Sequence, residues 1–235
     1  AGALAIEPFE LYLSGLIVMP QGVSLSEGTF QARAMRDTLD AVARSDSQVG
    51  DETRVYVDYR PFTHVLDAIQ RNPCDLLLVQ WAGPETLTGG VPTEELLQAA
   101  PCDVVLLSRS TWETPGPVLL ALRGGPNLSL GARVAQALAG TELITLFNAA
   151  EDVAGSPMLS VALLPGKQRR RTVSMVGNPL ELILSEAAHH QAVIMGAGAP
   201  QLGRPGDSVS PILRQIFART DRSVAMVRSA QPEEV

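Results

Sequence analysis

A chain of 235 residues with 46% hydrophobic side chains can fill one large core or two ordinary ones, which excludes disorder as its governing description. A formal net charge of −7 excludes a molecule drawn as a whole to nucleic acid or to an anionic membrane. Asp, Glu, Arg, Pro or Gly breaks every apolar run before the roughly 18 to 20 residues that direct membrane insertion needs. The first residues also lack the pattern of a signal peptide, so the expected location is the cytoplasm.

Short β-branched and apolar runs alternate with amphipathic stretches, the pattern of strands joined through helices into a parallel sheet. The first predicted strand is Leu11 to Met19, followed by a helix from Thr29 to Arg44 with Phe30, Ala34, Leu39 and Val42 on one side. A strand at Arg54 to Tyr59 leads past Pro61 into a helix from Phe62 to Arg71, with Val65, Leu66 and Ile69 facing the sheet. Asp75 to Gln80 is a strand apolar enough for burial on both faces, Pro92 to Ala100 a short helix, and Asp103 to Ser108 another strand. Arg109 to Pro117 has no period and holds Trp112, so residues 111–117 are read as a linker.

Beyond the linker the order repeats. Predicted strands at Val118 to Leu122, Glu142 to Asn148, Arg171 to Val176, Ala192 to Gly196 and Ser223 to Arg228 enclose helices at Leu128 to Ala139, Leu180 to His189 and Pro211 to Arg219. The match extends to residues. VYVDYRPFTHVLDAIQRNPCDLLLVQ at 55–80 lines up with TVSMVGNPLELILSEAAHHQAVIMGA at 172–197, CDVVLLSR at 102–109 with RSVAMVRS at 222–229, and ELYLSG at 10–15 with ELITLF at 142–147. Two similar halves are expected to form a pseudo-dimer about an approximate twofold axis. Only the second half opens with a full strand, glycine turn and helix, so residues 1–110 are read as a copy lacking its first strand and most of its first helix. That start suggests excision from a longer polypeptide.

Several residues carry chemistry that context makes ordinary. Cys74 and Cys102 form no CxxC pair and are expected to be reduced thiols; no metal site is expected. His64, His189 and His190 lack a repeated acid, nucleophile or metal pattern, which points to surface or capping roles and to no catalytic residue. Lys167 with Arg169, Arg170 and Arg171 marks a solvated strand entry.

PVLLALRGGPNLSLGARVAQALAG with TELITLF resembles the first strand, loop, helix and second strand of the universal stress protein family. AVIMGAG, SVSPILRQI and RSVAMVRS resemble its fourth strand, phosphate loop, last helix and last strand. The resemblance implies an α/β fold of two tandem Rossmann-like domains of the adenine nucleotide alpha hydrolase type. They would span residues 1–110 and 118–235, with parallel sheets in the order 3-2-1-4-5 and paired last strands. It also implies a nucleotide site in the second half. An acid at the tip of the first strand would meet adenosine, and glycines in the spacing GxxGx9G(S/T) would wrap the phosphates, where backbone N–H groups and a helix N-terminus favour an anion.

The candidate site residues are therefore Arg123, Gly124 and Gly125 after the first strand, and Gly196, Gly198, Gly203 and Gly206 with Ser208 and Ser210 before the last helix. Three departures mark this site as degenerate. Arg123 stands where the acid belongs, Ala199 stands at the second glycine, and Asp207 replaces the final glycine after an interval two residues short. A carboxylate there repels phosphate. In the first half the matching loop, Trp81 to Glu95, lacks the spacing and places Glu94 and Glu95 at the helix start, where they satisfy the helix dipole themselves.

The leading expectation is a non-catalytic regulatory or interaction module requiring no cofactor. The resemblance extends to cytoplasmic tails of bacterial amino-acid and cation transporters, which would put a membrane transporter upstream and tether the module to the inner face of the plasma membrane. Homo-oligomers are expected and a nucleic-acid partner is not. The alternative is a stand-alone stress protein binding ATP, AMP or another adenine nucleotide through the second-half glycine loop. An enzymatic reading needs a metal-binding acid, for which Asp207 is the candidate.

Overall fold

A computed structural model describes residues 10–45, 49–108, 115–121, 125–150, 169–198 and 209–230. Residues 111–114 of the expected 111–117 linker lie outside them. Among the described residues, nine strands and six helices follow one another almost as the periodicity predicts. They are β1 (Leu11–Val18), α1 (Thr29–Ser45), β2 (Val49–Asp58), α2 (Phe62–Arg71), β3 (Leu76–Trp81), α3 (Thr93–Ala99) and β4 (Asp103–Ser108). The second run is β5 (Val118–Ala121), α4 (Leu128–Ala139), β6 (Ile144–Ala150), β7 (Arg170–Val176), α5 (Pro179–Ala187), β8 (Ala192–Gly196), α6 (Pro211–Arg219) and β9 (Ser223–Arg228). A single 3-10 turn at Leu25–Gly28 is additional; Ser24 opens it by accepting from the backbone N–H of Ser26.

The strands form two sheets. β1 and β2 make a parallel pair, while the larger sheet runs β3-β4-β9-β8-β5-β6-β7. Every pairing in the larger sheet is parallel except β4 with β9, where Val104 to Leu107 oppose Arg228 to Ala225. From β7 to β9 the order is 3-2-1-4-5 in the numbering of one half, with the short, fully apolar β5 at the centre. Burial follows that placement: all seven residues of β6 are buried, and so are Ala192 to Met195 of β8.

Compactness divides the chain differently from the repeat. One unit comprises the described residues up to Cys74 with Leu87–Pro101; the other comprises Asp75–Thr86 with the residues from Cys102 onward. The physical reason is the antiparallel β4–β9 ladder, which carries β3 and β4 of the first repeat into the sheet of the second.

Within the first unit, burial is uneven: Phe62, Val91 and Leu96 are fully buried, but α1 is not. α1 buries no residue completely; Met35 and Leu39 turn toward Gly15 of β1, where any Cβ would collide with Met35 Cγ. Phe30, Ala34 and Val42, expected on the packed side, are instead exposed, Phe30 by 82%. A two-stranded sheet is too narrow to cover a helix of this length on more than one stripe. α2 is better seated, with Phe62 and Ile69 buried and Val65 and Leu66 half-buried.

The link from Leu87 to Pro92 doubles back in a two-residue turn. Thr88 and Val91 exchange both backbone hydrogen bonds, at 2.8 and 3.2 Å, and Gly89 and Gly90 between them have φ of +58° and +82°. This is the type I′ geometry that L side chains avoid. A Cβ on Gly90 would lie 2.5 Å from the Tyr59 carbonyl oxygen, whereas Gly22, at φ +86°, has nothing within 4 Å. Gly22→Ala should therefore cost only the left-handed backbone penalty of about 1–2 kcal/mol. Gly90→Ala should cost more, because the backbone must also move; urea unfolding of the two variants, compared with the parent chain, measures the difference.

Candidate functional site

The crevice where a doubly wound sheet binds ligands lies outside the carboxyl ends of its strands, where the connections leave in opposite directions. Here that point falls between β5 and β8. From β5 the chain passes through α4 to β6, and from β8 it passes through α6 to β9. Gly125, at φ +82°, turns the chain toward α4, and its carbonyl accepts from Leu128 N at 3.1 Å. Gly196 ends β8 and Gly198 follows it, while Ser210 caps α6 by accepting from Leu213 N at 3.2 Å ahead of Pro211. Arg123, Gly124, Gly203, Gly206, Asp207 and Ser208 lie outside the described residues.

Asn127 is the residue that sequence reasoning passed over. It stands immediately before α4, a position where Asn ordinarily caps the helix, yet its side chain makes no capping bond. Instead its Nδ2 donates to the Ala197 carbonyl at 2.8 Å, and its Oδ1 accepts from Ser229 N at 2.8 Å. One amide thus ties the end of β5 to the ends of β8 and β9. The same corner is held from the far side of β9. Asp103 accepts from Ser229 Oγ at 3.1 Å and from Ala230 N at 2.9 Å, with Arg133 3.9 Å from its other oxygen. The carboxyl ends of β8 and β9 are therefore braced by side chains of this chain, and an acid sits beside them.

In the first-half loop, the glycines serve turns. Gly83, at φ +130°, leaves room for Phe217, whose ring packs on the fully buried Trp81 with centroids 4.8 Å apart. Glu85 of the same unit pairs with Arg214. In the other unit, Gly89 and Gly90 make the hairpin already described, and Glu95 in the first turn of α3 pairs with Arg60.

Two histidines have defined partners. His64 Nε2 lies 2.7 Å from Asp58 Oδ2, an acid that sequence reasoning did not pair with it, and its ring stacks on Tyr56. That hydrogen bond holds the Asp58 carboxyl below its ordinary range, against a smaller opposing cost of burial; the Tyr59 and Arg60 amides assist. Both side chains are substantially exposed. His190, expected at the surface or at a cap, is buried. Its Nδ1 donates to the Glu186 carbonyl at 2.8 Å, so the unprotonated Nε2 accepts from Thr145 Oγ1 at 2.8 Å. Burial pushes its pKa below the ordinary histidine value. The Glu186 carbonyl and carboxylate oppose that shift, and Arg171 and His189 reinforce it.

Among the described residues no group of three or more His, Cys, Asp or Glu could hold a metal ion. Cys74 and Cys102 form no disulfide, and the second is buried. No helix among the described residues is long and apolar enough to cross a membrane.

Removing the Asn127 amide leaves Ala197 O and Ser229 N without this partner, so Asn127→Ala should lower stability by about 1–3 kcal/mol. Asn127→Asp should be at least as damaging, because it turns a carboxylate oxygen against the Ala197 carbonyl; chemical denaturation at pH 7 compares them. For His190 the folded pKa is depressed, so its contribution is intact above about pH 6.5, the unfolded value. As pH falls below 6.5 the unfolded chain binds a proton that the folded chain refuses, and stability declines until the folded pKa is passed. Denaturation midpoints between pH 7.5 and pH 5 should show this fall, and His190→Gln should flatten it.

No protein-family model and no curated protein matches the chain. Among solved structures it is similar to a universal stress protein from Archaeoglobus fulgidus DSM 4304, at 13% identity and a TM-score of 0.60 over 94% of this chain and 86% of that one. It is also similar to the cytoplasmic domain of a prokaryotic cation chloride cotransporter, at 11% identity and a TM-score of 0.59 over 97% and 88%. A functionally unknown protein from Pseudomonas aeruginosa PAO1 aligns at 14% identity with a TM-score of 0.55 over 97% and 95%. With its strand order and mostly parallel pairing, the chain has the Rossmann-like α/β fold of the universal stress proteins.

Proposed function

We propose that this chain is a non-catalytic regulatory or interaction module, two universal-stress-protein-like repeats in tandem at 1–110 and 118–235, with a nucleotide site that has decayed. The observation that carries the reading is the Asn127 brace. The amide joins Ala197 and Ser229 across the strand ends where a ligand's phosphates would be received, so the polar groups of that corner already serve the fold. Arg123 in place of the acid and Asp207 in place of the last glycine point the same way in sequence. Cytoplasmic placement and attachment to a membrane transporter are part of the proposal, supported by the likeness to a cotransporter's cytoplasmic domain. The pairing of the two repeats as a pseudo-dimer draws support from the antiparallel β4–β9 ladder.

Calorimetric titration with ATP and AMP tests it. The parent chain should bind at millimolar affinity or worse, about −4 kcal/mol or less favourable. Asp207→Gly should tighten binding by removing a like charge beside the phosphates, and Arg123→Asp should restore an adenosine contact. Micromolar binding by the parent chain, or nucleotide carried through purification, would overturn the reading in favour of a stand-alone nucleotide sensor.

A further inference from the structure

His64 and Asp58 form a pair that the repeat does not require. In the alignment of 55–80 with 172–197, Glu181 and Met175 stand at their positions in the second repeat. Both residues belong to one unit, Asp58 at the carboxyl end of β2 and His64 in the first turn of α2. The turn at residues 59–61 brings the two side chains to 2.7 Å.

The two carboxylate oxygens have separate duties. Oδ1 accepts from the backbone N–H groups of Tyr59 at 2.6 Å and Arg60 at 3.4 Å, while Oδ2 faces His64 Nε2. Asp58 is held ionised, because the bond to His64 and the two amides outweigh the cost of burial. An ionised carboxylate can only accept, so in the neutral imidazole Nε2 carries the proton and Nδ1 the free lone pair. The Tyr56 ring lies against the imidazole, with centroids 5.6 Å apart and planes 11° from parallel, and together with the Asp58 bond it fixes the ring. Among the described residues Nδ1 has no hydrogen-bond partner, and the His64 side chain is 43% exposed.

This arrangement makes a poised nucleophile. A neutral imidazole attacks through its unprotonated nitrogen, and a carboxylate on the other nitrogen stabilises the imidazolium that results. Position selects the electrophile. α2 is ten residues long, and His64 stands at its positive end. That end favours a group arriving with negative charge, as a phosphoryl group does and an acyl group does not.

We propose that His64 is a phosphoryl-acceptor site, modified at Nδ1 by a donor of the phosphoramidate class, with Asp58 as its positioning residue. The Nδ1 lone pair forms a bond to phosphorus as the P–N bond of the donor breaks. The electron pair of that bond leaves with the donor's nitrogen, which takes a proton from solvent. The Nε2 proton stays in its bond to Asp58, whose negative charge offsets the imidazolium. The site is independent of whether nucleotide binds in the second repeat.

Incubation of the full chain with potassium phosphoramidate at about pH 8, above the ordinary histidine range, tests the proposal. The exposed His189 is the internal reference. Peptide mapping should find His64 phosphorylated roughly ten-fold faster than His189, the rate equivalent of one charge-assisted hydrogen bond. Phosphorus NMR should assign the product to Nδ1. Asp58→Asn supplies a readout that a merely structural role would not move. With Oδ1 still accepting from Tyr59 and Arg60, the new amide nitrogen takes the place of Oδ2 and donates to Nε2, which moves the ring proton to Nδ1. Labelling of His64 at Nδ1 should then fall to the His189 rate or below, with His189 itself unchanged. Nitrogen NMR of the unmodified chains reads the tautomers directly, with the proton on Nε2 in the parent and on Nδ1 in the variant. A parent ring protonated at Nδ1, a product at Nε2, or His64 labelled no faster than His189 overturns the proposal without any variant. So does undiminished Nδ1 labelling in folded Asp58→Asn chain.

Discussion

The antiparallel ladder between β4 and β9 is the contact on which the larger sheet depends. Without it the chain would hold a five-stranded sheet ending at β9 and a separate pair, β3 with β4. Its four register pairs set Val104 to Leu107 against Arg228 to Ala225, and Val104, Val105, Leu106, Ala225, Met226 and Val227 are essentially without solvent contact. Side chains reinforce it at both ends. Ser108 Oγ accepts from Val224 N at 2.9 Å, and Arg228 donates to the Cys102 carbonyl at 3.0 Å. Burial holds the Arg228 pKa below its ordinary value, with Cys102 and Asp103 opposing the shift. Asp103 then reaches the turn after β9, so one ladder both joins the repeats and fastens the corner where Asn127 sits.

Much of this architecture was legible in residue pattern, because strand and helix periods differ and Gly or Pro marks most boundaries. Pro179 and Pro211 sit at the first helical turn behind Asn178 and Ser210, each of which accepts a backbone N–H, so those starts are written locally. The side of α1 that packs was misread. Phe30 and Val42 looked like core because period and hydrophobicity alone cannot say whether a sheet is present to receive them. His190, read as a surface or capping residue, is buried instead, since its burial depends on Thr145, forty-five residues away in sequence.

The candidate site divides along the same line. The turn at Gly125 and the cap at Ser210 follow from local chain chemistry. Asn127 reads locally as a cap. That its amide leaves the helix and spans two other strand ends is a tertiary choice, settled by the proximity of Ala197 O and Ser229 N, which no window of sequence contains.

The outer strands of the two sheets also differ in charge. β7, at one margin of the larger sheet, begins with Arg170 and Arg171, and Arg171 reaches Glu186 at 3.3 Å. Cationic side chains on a margin discourage other chains from stacking onto it. β1, LYLSGLIV, carries no charge at all. An uncharged edge of this kind is a template for fibrils once concentration is high. Among the described residues, β1 and β3 are thus the margins with no charged side chain to discourage another chain from pairing there.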